Sequence, residues 1–137
     1  MEKIESVLKF DKYEVKEVSF KSNENFVRTN EPLKISFSIH KDVQHNTKGK
    51  MVVTLMVSIF ENAEQNNYPF EMTLKISGFF INNDDSINLD ANAIAILYPY
   101  VRSIVSVFTS SVNVPQLILP VINVNALIDQ IENSKED

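Results

Sequence analysis

Ile94-Ala95-Ile96-Leu97-Tyr98-Pro99-Tyr100-Val101-Arg102 is the stretch on which the reading of this chain turns. Apolar residues recur from there to Ser110 at Ile94, Leu97, Val101, Ile104, Val105 and Phe108. That is the i, i+3, i+4, i+7 spacing of an amphipathic helix. Proline lacks the N–H that an inner helical turn needs, so the regular helix is expected to start at Pro99, with Asp90 to Leu97 forming a short helix or turn of its own. A helix of this kind packs on a sheet, and its outer side is a candidate oligomer interface.

Upstream the alternation has period two, the mark of strands. Tyr68 to Asn82 reads as a fourth strand, with Phe70, Met72, Leu74 and Ile76 on one face. Gly78 then interrupts the pattern, which predicts a bulge or the close approach of another backbone. Phe79, Phe80 and Ile81 follow as three bulky apolar residues in a row. The third strand carries Met51, Val53, Leu55, Val57 and Ile59 on one face and Val52, Met56 and Phe60 on the other, so it is expected to be central or covered on both sides. A second strand opens at Pro32 with Leu33, Ile35, Phe37 and Ile39 in alternation, and Asp42 to Gly49 reads as a polar connection. In Leu8–Phe20 the alternation slips phase twice, which predicts a long strand with one or two bulges. Lys21 to Glu31, Glu61 to Asn67 and Asn82 to Asp90 read as loops or turns.

Downstream, Val112 to Val124 is apolar and broken by Pro115 and Pro120, so it reads as an extended connection lying on protein surface. Asn123 or Asn125 caps a final helix that turns Ala126, Leu127, Ile128 and Ile131 inward. The order is four antiparallel strands followed by two helices on one side, an α+β arrangement in a single domain over residues 1–137.

Composition narrows the function. The chain has 137 residues, 44% apolar and 23% charged, with net charge −5, as expected of a globular domain with a substantial core. The acidic balance argues against nucleic acid as a partner. The absence of cysteine excludes disulfides, thiolate metal sites and thiol nucleophiles. The start of the chain does not read as a signal peptide, and the apolar run Ala93 to Val101 is too short to span a bilayer, so a cytoplasmic protein without membrane insertion is expected. Two glycines cannot build a phosphate-cradling loop. His40 and His45, with Asp42 between them, are read as solvated rather than as metal ligands. Asp84, Asp85, Asn88 and Asp90 lack the glycine and glutamate of a calcium loop. No catalytic set, metal site or cofactor is expected. A single sheet with two helices on one side leaves apolar area unburied, which points to an oligomer, a ligand surface, or both.

Four segments, in order, resemble the SecB family of protein-export chaperones. The family's "vKDiSFE" is similar to Val15-Lys16-Glu17-Val18-Ser19-Phe20-Lys21, and its "GiF" to Gly78-Phe79-Phe80. Its "nILFPYaRe" is similar to Ala95 through Ser103, and its "FPqLnLaPvnFdAL" to Val114-Pro115-Gln116-Leu117-Ile118-Leu119 and Asn123-Val124-Asn125-Ala126-Leu127. The resemblance implies a homotetramer, a dimer of dimers with the long helices packed between eight-stranded sheets. It implies an ATP-independent holdase that takes unfolded or precursor polypeptides into apolar grooves. On this chain the groove candidates are Phe26, Leu33, Phe37, Phe60, Tyr68, Leu127 and Ile131, and the interface candidates are Tyr100, Arg102, Val105 and Phe108.

The family docks on the SecA motor partly through acidic residues of the sheet face. Glu17 keeps one such acid, but Lys21, Thr73 and Ser103 stand where acids are expected. The resemblance therefore implies SecA only as a weak partner. A related role, protection of a dedicated client such as an antitoxin, needs no SecA. An adaptor with this fold and no general client binding, and a small enzyme or carrier with an apolar pocket, are the competing readings.

Overall fold

The computed structural model describes residues 7–84, 86–112 and 117–121. The expected final helix, with Leu127 and Ile131, lies outside them. Strands β1 (Leu8–Ser22), β2 (Phe37–His45), β3 (Lys50–Ile59) and β4 (Phe70–Asn82) form one antiparallel sheet in the order β1-β4-β3-β2. A four-residue helix, α1 (Ala63–Asn66), sits in the β3–β4 connection, and α2 (Asp90–Ser111) follows the sheet.

Strand β3 is central, as its two apolar faces predict. Met51, Val53, Leu55, Val57 and Ile59 are buried, while Val52, Thr54, Met56 and Ser58 are half-buried on the opposite face. Register places the buried set beside Phe80, Gly78, Ile76, Leu74 and Met72 of β4, and α2 covers this face. The slips in β1 are two bulges, between Phe10 and Lys12 and between Val15 and Glu17. Each bulge shifts the side-chain parity by one. As a result Phe10, Tyr13, Val15, Val18 and Phe20 all stand opposite the helix-side residues of β4.

Strand β2 departs from expectation. It starts at Phe37 rather than Pro32 and runs on to His45 through residues read as a loop. Lys41, Asp42 and Gln44 are polar because β2 is an edge strand, where charge deters pairing with other chains. The turn is confined to 46–49: the Asn46 side chain accepts from the Lys48 and Lys50 amides (both 2.9 Å), and Gly49 has φ +80°.

Helix α2 also departs from expectation. It is a single helix from Asp90 through Pro99 to Ser111. Its buried stripe, Ile94, Leu97, Tyr98, Val101, Val105 and Thr109, keeps phase across the proline. Packing against the sheet on both sides of Pro99 outweighs one lost backbone hydrogen bond, and the ring itself is exposed. Gly78 marks the close approach. A Cβ there would stand 2.9 Å from Leu97 Cδ1 and 2.9 Å from Phe80 Cε1, so a helix side chain, not a bulge or a backbone, requires the glycine. With Pro99 included, α2 is long and apolar enough by length and composition to cross a membrane, although the run Ala93 to Val101 alone is not. In this fold Val101 and Val105 are fully enclosed against the sheet.

Candidate functional site

The segment between β1 and β2 and the turn around α1 meet at one end of the sheet, and two asparagines fasten them together. The Asn23 side chain is buried, donating to the Ala63 carbonyl (3.1 Å) and the Tyr68 carbonyl (2.9 Å). Asn67 accepts from the Val27 amide and donates to the Val27 carbonyl, both at 2.9 Å, as a neighbouring strand would. Beyond Val27 the chain bends at Asn30 and Glu31 and rejoins the sheet where the Phe60 amide donates to the Ser36 carbonyl (2.8 Å).

This geometry separates the groove candidates. Leu33 is 50% exposed. Phe26, Phe37 and Tyr68 are half-buried. Phe60 is 1% exposed and belongs to the core, where it can serve only as a floor beneath Tyr68. It takes a left-handed backbone (φ 55°), unusual for a bulky side chain, and is held there by Tyr68 (ring centroids 4.8 Å apart) and by the edge of Phe70 (5.2 Å). The aromatic contacts continue from Phe70 to Phe20 (5.2 Å) and from Phe20 to Phe108 on α2 (5.7 Å). Val27 (65% exposed) and Ile35 (40%) extend the apolar surface, and neither was among the groove candidates. For Ile35 the signal lay in the Leu33–Ile35–Phe37 alternation, a row that joins the sheet only at Phe37.

The interface candidates also divide. Tyr100 is exposed and stacks at 4.6 Å on Tyr13, itself exposed on β1. Phe108 is half-buried against Phe20. Val105 is fully enclosed within its own chain because it lies on the sheet-facing stripe, so it offers no interface. Arg102 acts within the chain: its Nε donates to the Leu119 carbonyl (3.0 Å). Tyr98 Oη donates to the Pro120 carbonyl (3.0 Å), and the Leu117 amide donates to the buried Thr109 Oγ1 (2.9 Å). Residues 117–121 are thus strapped along α2, with Leu117 and Leu119 inward and Ile118 and Val121 exposed. The sequence foresaw an apolar connection on protein surface but not its three polar anchors. Burial holds the Tyr98 phenol above its ordinary pKa, and the charge of Arg102 opposes that rise.

His40 and His45 do not converge. Their odd spacing along β2 puts His40 opposite Met56 on the uncovered face and His45 opposite Met51 on the helix face. There His45 Nε2 lies 3.1 Å from Asp90 Oδ1. In the β4–α2 loop Asp84 accepts from Ser86, and the Asn88 side chain accepts from the Asp90 amide (3.0 Å), so these groups cap turns. No metal-binding cluster occurs among the described residues.

The sequence model of the family described as preprotein translocase subunit SecB matches residues 2–135. The chain belongs to the SecB family. A relative from Methanocaldococcus jannaschii, the uncharacterized protein MJ0357, is 30% identical over 95% of this chain and 88% of its own length. Among solved structures, the Mycobacterium tuberculosis Rv1957 SecB-like chaperone, in complex with a ChAD peptide from the Rv1956 HigA1 antitoxin, superposes with a TM-score of 0.66 at 14% identity, covering 88% of this chain and 95% of that one. A protein of unknown function from Streptococcus agalactiae gives a TM-score of 0.49 at 13% identity, covering 83% and 97%. The α+β fold is therefore a SecB-like fold, and membership of the SecB family supports a chaperone function.

Proposed function

We propose that this SecB-family chain is an ATP-independent holdase acting in the cytoplasm, binding apolar segments of unfolded polypeptides across Phe26, Val27, Leu33, Ile35, Phe37 and Tyr68. The observation that carries this reading is the segment from Val27 to Ser36, which bends at Asn30 and Glu31. It lies outside the sheet, exposes Val27, Leu33 and Ile35, and is fastened to the end of the sheet where half-buried Tyr68 lies against the Phe60 ring. Non-native chains offer apolar side chains in no fixed pattern, and aromatic surfaces accept them without strict geometry. No nucleotide enters the binding step.

Assembly into a homotetramer belongs to the same proposal. Tyr13, Val15 and Val18 on β1 and Tyr100 and Val107 on α2 form a second exposed apolar area, which subunit contacts would cover.

The test is suppression of aggregation of several chemically denatured clients at near-stoichiometric ratio, with and without ATP. Equal suppression in both conditions is expected. Suppression for no client would overturn the general holdase reading. A second reading, a chaperone dedicated to one client, is favoured by the antitoxin peptide bound to the M. tuberculosis structural relative. It predicts strong protection of a single client, an antitoxin-like chain, and little protection of others. Service in protein export is the family's described role and would require a translocase partner.

A further inference from the structure

The sheet face that α2 leaves uncovered carries a local excess of positive charge on an acidic protein. At the end near the 46–49 turn, register places Lys9 and Lys50 on either side of Ile81, and Lys12 and Val52 on either side of Phe79. Phe79, Ile81 and Val52 are half-buried, and Lys9, Lys12, Lys16 and Lys50 are exposed around them. The Lys12 and Lys16 ammonium groups lie 5.2 and 5.7 Å from the Phe79 ring centroid. Glu14 pairs with Lys16 at 3.4 Å, Asp11 is exposed in the β1 bulge, and Asp42, exposed on β2 opposite Thr54, accepts from Gln44, so the four lysines stand against three carboxylates. Among the described residues no carboxylate pairs with Lys9, Lys12 or Lys50. Toward the other end of the face the charges alternate across the strands, with Glu17 opposite Lys75 and Lys21 opposite Glu71. The positive excess is therefore confined to one end, although the chain as a whole carries −5.

We infer that this end of the sheet is a docking surface for an acidic polypeptide segment bearing apolar residues, separate from the site proposed for unfolded clients. Like-charged lysines packed around apolar atoms repel one another, and a partner's carboxylates relieve that repulsion while its apolar side chains cover Phe79, Ile81 and Val52. The spacing suits a peptide. Lys12, Phe79 and Val52 form one row across three strands, about 10 Å from first to last, within reach of a few adjacent residues. The Phe79 ring lies beneath the Lys12 and Lys16 ammonium groups, so a flat bilayer resting on these lysines would leave it uncovered. The client area at Val27 to Phe37 exposes Val27, Leu33 and Ile35 among charges of both signs, Arg28, Glu31 and Lys34, so it does not share the lysine-rich chemistry of this end.

Fluorescence anisotropy on the full chain tests this. The probes are a labelled peptide in which glutamates flank a phenylalanine and a leucine, a version with lysines for the glutamates, a version with serines for the apolar residues, and vesicles of phosphatidylserine in phosphatidylcholine. The acidic apolar peptide should bind about tenfold or more tighter than either altered peptide, with affinity falling as salt rises. Lys12→Glu combined with Lys50→Glu should weaken that binding by about tenfold or more and leave aggregation suppression unchanged, since both side chains are exposed and remote from the client area. Lys12→Gln with Lys50→Gln should fall between the two. Equal binding of acidic and basic peptides, unchanged binding by the Glu variant, or binding to the vesicles without binding to the peptide would each overturn the inference. Failure of the holdase reading would appear instead as loss of aggregation suppression with peptide binding intact.

Discussion

Gly78 shows how one missing methyl sets the distance between helix and sheet. The Cβ of alanine would overlap Leu97 and Phe80, both buried, and overpacking of this kind costs about 1–3 kcal/mol. Gly78→Ala should lower the urea midpoint accordingly, and adding Leu97→Val should cost less than the sum of the two single changes, because it vacates part of the same space. Tyr98 is informative for another reason. Its phenol is buried and donates to Pro120, so Tyr98→Phe should lose about 0.5–1.5 kcal/mol near neutral pH. Because burial raises the pKa in the folded state, the unfolded chain gives up this proton first. The resulting stability is complete below the ordinary tyrosine value of about 10 and is lost as pH rises through the folded value. The stability gap between wild type and Tyr98→Phe should therefore narrow above about pH 10. Parallel losses in urea melts of both proteins would show that the phenol is not held as described.

At the scale of elements, legibility followed how far local pattern and packing agreed. Strands β3 and β4 were readable because their alternation is regular and one face is fully buried. The two bulges in β1 were readable because a change of parity has few other causes. Strand β2 was misplaced because Leu33 and Ile35 continue the alternation of Phe37 and Ile39 as regularly as a paired strand would, yet both lie exposed outside the sheet. The start of α2 was misplaced because a proline rule acts within a few residues, whereas the buried stripe that carries the helix across Pro99 depends on the sheet beneath it. Among the groove candidates, pattern alone could not rank Phe60, sealed in the core, against Leu33, half exposed. Leu33→Ser should lower client affinity with little change in the thermal midpoint. Phe60→Ser should cost roughly the 3–5 kcal/mol of a large-to-small core change and unfold much of the protein. A melt recorded beside each binding assay separates the two, and strong destabilisation by Leu33→Ser would remove it from the binding surface.

At the scale of the whole molecule, the exposed apolar areas and the charge of the uncovered sheet face make separate claims. If subunits cover Tyr13, Val15, Val18, Tyr100 and Val107, light scattering should report four chains of 15.6 kDa, about 62 kDa, and a monomer at micromolar concentration would contradict it. The sheet face bears on SecA. Lys21 and Thr73, which occupy positions where the family's resemblance calls for acids, both lie on the uncovered face, since Lys21 pairs with Glu71 and Thr73 with Ser19. Glu17, the acid retained, faces Lys75 across the strands. Exposed rim charges are each worth about 1 kcal/mol or less and are screened by salt, but removing one and inverting another can still amount to a decade in affinity, about 1.4 kcal/mol. Binding to a generic SecA should therefore be weak or undetectable at physiological salt while client holding persists. Lys21→Glu with Thr73→Glu should strengthen any residual binding, most at low ionic strength, and calorimetric titration at two salt concentrations would measure it. Submicromolar binding by the unaltered chain, or no response to the double substitution, would show that docking does not depend on acids at these two positions.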